Sequence, residues 1–197
     1  TEEAHAYIDK ALKVFSAIND KNNIAQCYKE RGSVYYIENK FIECLQAFNT
    51  SIEISIIDQT SLAKTYNSIG ATYGSLGNYS EALPYFLKTL KIWEEQKNTN
   101  YMALAYLNIG NVYFKQKNYG LANKYYNRLL NISEKLKDPY LLSYAYSSIA
   151  EVYNHMHLYD KSLSYHRKSL AIKQTLFDKS REAESYNDIG GVLFKQK

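Results

Sequence analysis

Five stretches of this chain lie over one another at a nearly constant interval: CYKERGSVYY, TYNSIGATYG, AYLNIGNVYF, AYSSIAEVYN and SYNDIGGVLF. Their central small residues are Gly32, Gly70, Gly110, Ala150 and Gly190, spaced by 38, 40, 40 and 40 residues. A period of this size marks stacked supersecondary units, each burying its apolar face against the next, rather than one closed globular core. A stack of that kind presents a long surface, so binding is its natural use.

Each unit reads as two helices. In Tyr101–Gln116, apolar residues at 102, 105, 106, 109, 112 and 113 recur every three or four positions, the stripe of an amphipathic helix. Lys117-Asn118 interrupts it. A second stripe runs through Tyr119, Ala122, Tyr126, Leu129, Leu130 and Ile132, and Lys137-Asp138-Pro139 ends it, since proline suits a first helical turn and not an interior. Short loops make the two helices antiparallel. We call the first helix of a unit A and the second B. Ala4–Ile18 aligns with helix B of the second repeat, and Ser180 onward is a helix A. The expected organisation is therefore a single array: a lone helix B over 1–20, repeats over 22–58, 60–98, 99–137 and 138–178, and a lone helix A over 180–197. The sequence opens without Met and closes inside a repeat, which reads as a fragment of a longer array.

The columns of the alignment assign most side chains to packing. The glycines inside helix A cost about 0.5–1 kcal/mol each relative to alanine, so close approach of helix B is the expected compensation. Ala150 at the same site suggests that Gly110→Ala is mild. A facing small column is Cys44, Ala82, Ala122 and Ser162. Cys27 and Cys44, neither in a CxxC pair, both occupy small columns and read as buried free thiols. Tyrosine supplies 21 of 197 residues, and the aromatics fall in fixed columns, which makes them gap-filling core. One such column is Phe48, Phe86, Tyr126 and His166.

These columns resemble the tetratricopeptide repeat: an aromatic, Leu-Gly and Tyr on helix A, then Ala, an aromatic and Ala on helix B. Repeat two carries Tyr66, Ile69-Gly70, Tyr73, Ala82, Phe86 and Thr89 in those places. The period of 40 rather than 34 is similar to the long repeats of kinesin light chains, the Leu-Gly-Asn repeat adaptor, bacterial Rap-type receptors and bacterial sensor arrays. The resemblance implies an all-α fold, a right-handed α-α superhelix (solenoid) of antiparallel helix pairs. It also implies a concave wall of A helices that binds a protein or peptide. The wall residues, lying between the packing columns, are Lys64, Asn67, Leu104, Asn108, Asn111, Tyr144, Ser148, Glu151 and Asn154. Asn side chains there suit both donors and acceptors of a bound backbone. Of the carboxylate clamp that chaperone-binding members carry, Lys29 matches one position, whereas Ser33, Ser68, Leu104 and Asn108 depart, which argues against a chaperone-tail site.

No active site is legible. His155 and His157 sit two apart at an A-to-B turn and do not share a helix face, and His166 occupies an aromatic slot. Phosphate-loop, nucleophile-elbow and metalloprotease motifs are absent, so neither cofactor nor metal is expected. A net charge of +4 with interleaved signs argues against nucleic acid, and no apolar run approaches the ~18–20 residues of a membrane span. The expected function is a protein- or peptide-binding scaffold, the regulatory or sensory segment of a larger bacterial signalling protein whose compartment the sequence leaves open. The alternative is an accessory domain controlling a catalytic module, a kinase or cyclase, elsewhere in the chain. Self-association through the exposed terminal helices is a further expectation.

Overall fold

The repeat pattern is realised as helices with chemically defined ends. The computed structural model describes residues 1–54 and 58–197. Among them run α1 (Glu2–Ala17), α2 (Lys21–Ile37), α3 (Phe41–Ile54), α4 (Gln59–Ser75), α5 (Tyr79–Glu95), α6 (Thr99–Lys115), α7 (Tyr119–Leu136), α8 (Pro139–His155), α9 (Tyr159–Thr175) and α10 (Lys179–Lys195). The order is the expected one, a helix B, four A–B pairs and a helix A, with no strand among the described residues. The expected end of the first repeat's helix B, at 55–57, lies outside the described residues. No described helix is long and apolar enough to cross a membrane.

Every A helix begins on an acidic or amide cap. Asp20, Asp58, Asn98, Asp138 and Asp178 accept hydrogen bonds from the backbone N–H groups of Asn23, Ser61, Tyr101, Leu141 and Arg181, satisfying donors that the first turn leaves free. Every complete A helix ends alike: a left-handed residue, Asn39, Gly77, Lys117 or His157, turns the chain. The following N–H then donates to the carbonyl of Tyr35, Tyr73, Tyr113 or Tyr153 at 2.9 Å.

The chain divides into two compact units, Thr1–Lys97 and Asn98–Lys197. In the first, α3 packs on α4 through Cys44, Phe48 and Ile69, bordered by Tyr66, Tyr73 and Tyr85. In the second, α7 packs on α8 through Ala122, Tyr126, Ile149 and Val152. Cys27 and Cys44 are buried free thiols, and burial pushes both above the ordinary thiol range.

Within each pair the small column on helix A faces a ring sixteen residues on. A Cβ placed on Gly32 would fall 2.7 Å from Phe48, on Gly70 2.9 Å from Phe86, and on Gly110 2.5 Å from Tyr126. The small residue therefore makes room for a side chain, and the expectation that Gly110→Ala is mild is overturned. Ala150 fits because the residue sixteen on is His166, whose ring is smaller. A hydroxyl on helix B then binds a helix A carbonyl: Ser51 to Ala25 at 2.7 Å, Thr89 to Ala63 at 3.2 Å and Ser169 to Ser143 at 2.8 Å. Repeat three has buried Leu129 in that column.

The tyrosine ladder is packing, with a cationic edge. Tyr85 stacks on Tyr73, Tyr125 on Tyr113 and Tyr165 meets Tyr153, at 5.8, 5.5 and 5.5 Å between centroids. Lys88, Arg128 and Lys168 lie over these groups, 5.1, 5.3 and 4.9 Å from the rings of Tyr85, Tyr125 and Tyr165. Lys88 also lies 5.3 Å from the Tyr66 ring, so it is part of this packing.

Candidate functional site

A cavity of about 460 Å³ opens in the second unit. Helices α6, α8 and α10 supply its walls through Asn111, Phe114, Lys115, Ser143, Tyr144, Ser147, Ser148, Glu151, Arg181, Glu184 and Asp188. Helices α7 and α9 supply Tyr126, His166 and Lys173. The size falls in the range of ordinary ligand sites.

Each lining group is held by its own local structure. Tyr126 fills the slot over Gly110, and its hydroxyl reaches the cavity to donate to Asn111 Oδ1 at 2.7 Å. Burial raises the Tyr126 phenol well above its ordinary value, so it stays a donor. Glu151 Oε1 lies 3.2 Å from His155 Nε2, and the His155 ring stacks on Tyr119. Arg181 pairs with the cap residue Asp178 at 3.3 Å and lies over the Tyr140 ring. Lys173 Nζ donates to Ser185 Oγ at 2.8 Å and is only 7 % exposed.

His166 is 2 % exposed, and neither ring nitrogen has a hydrogen-bond partner among the described residues. Burial pushes it below the ordinary imidazole range, against the opposing pull of Asp188 and Glu151. Burial likewise lowers Lys173, opposed by Asp188 and Glu184. Asp188 is raised, first by burial, with His166 pulling down and Glu151 pushing up. The imidazole is therefore neutral at pH 7, with one donor and one acceptor nitrogen.

Of the wall residues read from the sequence, the cavity gathers Asn111, Tyr144, Ser148 and Glu151. Tyr144 is half exposed and offers an open aromatic face. Leu104 and Asn108 lie on α6 of the same unit outside the lining, and Lys64 and Asn67 lie on α4 of the first unit. Asn154 is buried, and its Oδ1 accepts from Lys195 Nζ at 3.4 Å, which sets it inside the α8–α10 packing. Sequence reasoning missed Lys173, Arg181, Glu184 and Asp188, and took His166 for core filling alone.

The missed signal lies in one face of helix B. The buried face of α5 carries Ala82, Phe86, Thr89 and Trp93, and that of α7 carries Ala122, Tyr126, Leu129 and Ser133. The same four columns in α9 hold Ser162, His166, Ser169 and Lys173, all buried and all polar. The turn histidines do something else: His157 takes the left-handed conformation and its Nδ1 lies 2.8 Å from the Tyr159 hydroxyl. Among the described residues no group of three or more His, Cys, Asp or Glu is placed to hold a metal.

Comparison with known proteins agrees with this architecture. Residues 61–135 match the tetratricopeptide repeat family. Stress-induced-phosphoprotein 1 of Caenorhabditis elegans is 29 % identical over 92 residues, 45 % of this chain and 27 % of that protein, so the chain spans about a quarter of this relative. The crystal structure of a Signal Transduction ATPase with Numerous Domains protein with a tetratricopeptide repeat sensor, from Pyrococcus horikoshii, superimposes with a TM-score of 0.84 at 20 % identity. It covers all of this chain and 31 % of its own. BtubC (BKLC) from P. vanneervenii superimposes with a TM-score of 0.82 at 16 % identity, covering 97 % of this chain and 80 % of its own.

Proposed function

The chain is an all-α solenoid of tetratricopeptide repeats, and from that premise we propose that its second unit is a binding module for an extended peptide segment of a protein partner, seated on the A-helix side of α6, α8 and α10. The observation that carries this is the lining of the cavity. An open aromatic face, Tyr144, stands beside adaptable hydrogen-bonding groups, Asn111, Ser148 and Glu151, at a site large enough for a few residues of a peptide. Leu104 and Asn108 extend the same face along α6, and Lys64 and Asn67 hold the equivalent positions on α4. A regulatory or sensory role within a larger signalling protein follows as the biological reading, supported by the sensor repeat of the Pyrococcus protein.

The test is selection of peptides from a random dodecapeptide display library on the full chain, then affinity measurement with variants. Tyr144→Ala, Ser148→Ala and Glu151→Ala weaken binding by about ten-fold or more without moving the melting temperature. Lys124→Ala, an exposed charge away from the cavity, leaves affinity unchanged. Equal loss in all four, or loss only with Lys124→Ala, places the site elsewhere.

A further inference from the structure

The slot over the small column asks only for a ring. Phe48 and Phe86 fill it over Gly32 and Gly70 in the first unit, and neither brings a polar atom. Tyr126 fills it over Gly110 with a hydroxyl added, on a side chain that is 3 % exposed. Packing does not call for that hydroxyl, and burying one costs free energy unless it is hydrogen-bonded. The position fifteen residues before the ring changes with it. It is Ser33 in repeat one and Ala71 in repeat two, where the ring is Phe, and Asn111 in repeat three, where the ring is Tyr.

This pairing fixes the Asn111 amide. The phenol has one proton to give, burial keeps it on the oxygen, and Asn111 Oδ1 accepts it at 2.7 Å. An Asn side chain on an open helix face can turn its amide either way, offering a donor or an acceptor alike. With Oδ1 held by Tyr126, the N–H₂ of Asn111 is the group left for an occupant. Asn111 is exposed and lines the cavity, and its Nδ2 has no partner among the described residues. Ser33, in the same column, spends its proton on the Lys29 carbonyl at 3.2 Å, so repeat one offers no such donor. For a single uncharged donor, the acceptor found at every residue of an extended segment is the main-chain carbonyl.

We propose that Tyr126 is a positioning residue of the cavity: its hydroxyl aims the Asn111 amide so that Asn111 donates to a main-chain carbonyl of the bound segment. This rests on the reading of the cavity as the peptide site. It gives one wall residue a fixed hydrogen-bonding polarity, set by a buried side chain on the neighbouring helix.

The experiment uses the full chain and a synthetic copy of a selected dodecapeptide, with affinities measured by calorimetry at pH 7.5. Tyr126→Phe copies the rings of the first two repeats and keeps the contact over Gly110. It weakens binding about three- to ten-fold, the cost of ordering a free side chain at the moment of binding. In an Asn111→Ala background the same replacement changes affinity by less than about two-fold. Asn111→Asp keeps an oxygen for the Tyr126 hydroxyl but turns the donor into an acceptor, and weakens binding about ten-fold or more. An ester in place of the contacted peptide bond makes its carbonyl a poorer acceptor. Scanned along the peptide, it costs about three-fold or more at one position for the unmodified protein and less than about two-fold there for Asn111→Asp. Tyr126→Phe binding as tightly as the unmodified protein, an equal loss with and without Asn111, or undiminished binding by Asn111→Asp overturns this inference. Sensitivity to Tyr144→Ala then leaves the peptide-site reading standing. Failure to select any peptide, or binding indifferent to Tyr144→Ala, overturns both. Asn111→Asp and the ester scan decide the matter where Tyr126→Phe folds poorly.

Discussion

Replacing Gly110 by alanine tests the packing rule of the repeat directly. The new methyl group would sit 2.5 Å from Cε1 and 2.7 Å from Cδ1 of Tyr126, where ordinary contact begins near 3.4 Å. One of the two must move by roughly 1 Å. The Tyr126 ring has little freedom to do so, being 3 % exposed and tied by its hydroxyl to Asn111 at 2.7 Å. Overpacking of this kind costs about 1–3 kcal/mol. Alanine returns about 0.5–1 kcal/mol of helix propensity. The net expectation is a loss of about 1–2 kcal/mol, or about 2–8 °C in melting temperature for a chain of this size. Gly190→Ala is the matched control: it lies in the equivalent column of α10, meets nothing within 4 Å, and keeps only the propensity gain of about 0.5–1 kcal/mol. Gly70→Ala falls between, since Phe86 starts at 2.9 Å and has no hydroxyl tether. The assay is equilibrium urea unfolding followed by circular dichroism, with m-values checked for constancy. The double variant Gly110→Ala/Tyr126→His copies the Ala150 and His166 pairing and is less destabilised than the sum of its parts by about 1 kcal/mol or more. Gly110→Ala as stable as Gly190→Ala, or additive behaviour in the double variant, refutes the ring-over-glycine explanation.

Three further outcomes follow from the same structure. Arg128→Ala, removing the guanidinium over Tyr106 and Tyr125, lowers stability by about 0.5–1 kcal/mol, whereas Lys124→Ala changes it by less than about 0.5; equal melting shifts contradict the cationic edge. Asp138→Ala removes the acceptor for the Tyr140 and Leu141 N–H groups at the start of α8 and costs about 1 kcal/mol in thermal unfolding, with Asp138→Asn retaining most of it. In pH titrations of stability, His166 acts at mild acidity. Its folded value is depressed by burial, against Asp188 and Glu151 and together with Lys173. The unfolded chain therefore takes up a proton below about pH 6.5 that the folded chain refuses, and stability falls as pH drops from 7 through the folded value. Glu38 acts separately, lower down: Lys40 first, and His5, hold it at about 2, so its contribution is present above the ordinary glutamate value and is lost as pH falls toward 2. Ala150→Gly/His166→Phe flattens the first window and leaves the second; a profile unchanged between pH 7 and 5 speaks against a buried neutral imidazole.

The helices were legible because their signal is local. Apolar spacing, turn residues and the small column at Gly32, Gly70, Gly110 and Gly190 all lie along the chain, and they place the ten elements and their order. What faces the small column was not legible. A glycine in a helix announces that something is close without saying whether it is backbone or the ring of Phe48, Phe86 or Tyr126. Asn111, Tyr144, Ser148 and Glu151 were reachable by asking which helix A positions are left over after packing. Lys173, Arg181 and Asp188 were not, because the cavity forms where α8, α9 and α10 converge and no single column contains it. His166 sits in the packing slot that its column suggests and also lines the cavity. Comparing the whole buried face of α9 with those of α5 and α7 would have exposed the exception, since four polar residues replace a mostly apolar set.

The ring-over-glycine contact also limits how arrays of this type can be rearranged. The two halves of the contact are on different helices of one hairpin, so each A helix is matched to its own B helix. Grafting α7 behind α8 would drive the Tyr126 ring into the methyl group of Ala150. Grafting α9 behind α6 would set an imidazole against Gly110 and leave a void. A hairpin carried over whole keeps its internal match. Recombination at the B-to-A connectors therefore preserves the fold, while recombination at the A-to-B turns breaks it, and the hairpin rather than the helix is the unit in which such a chain gains, loses or exchanges a binding pocket.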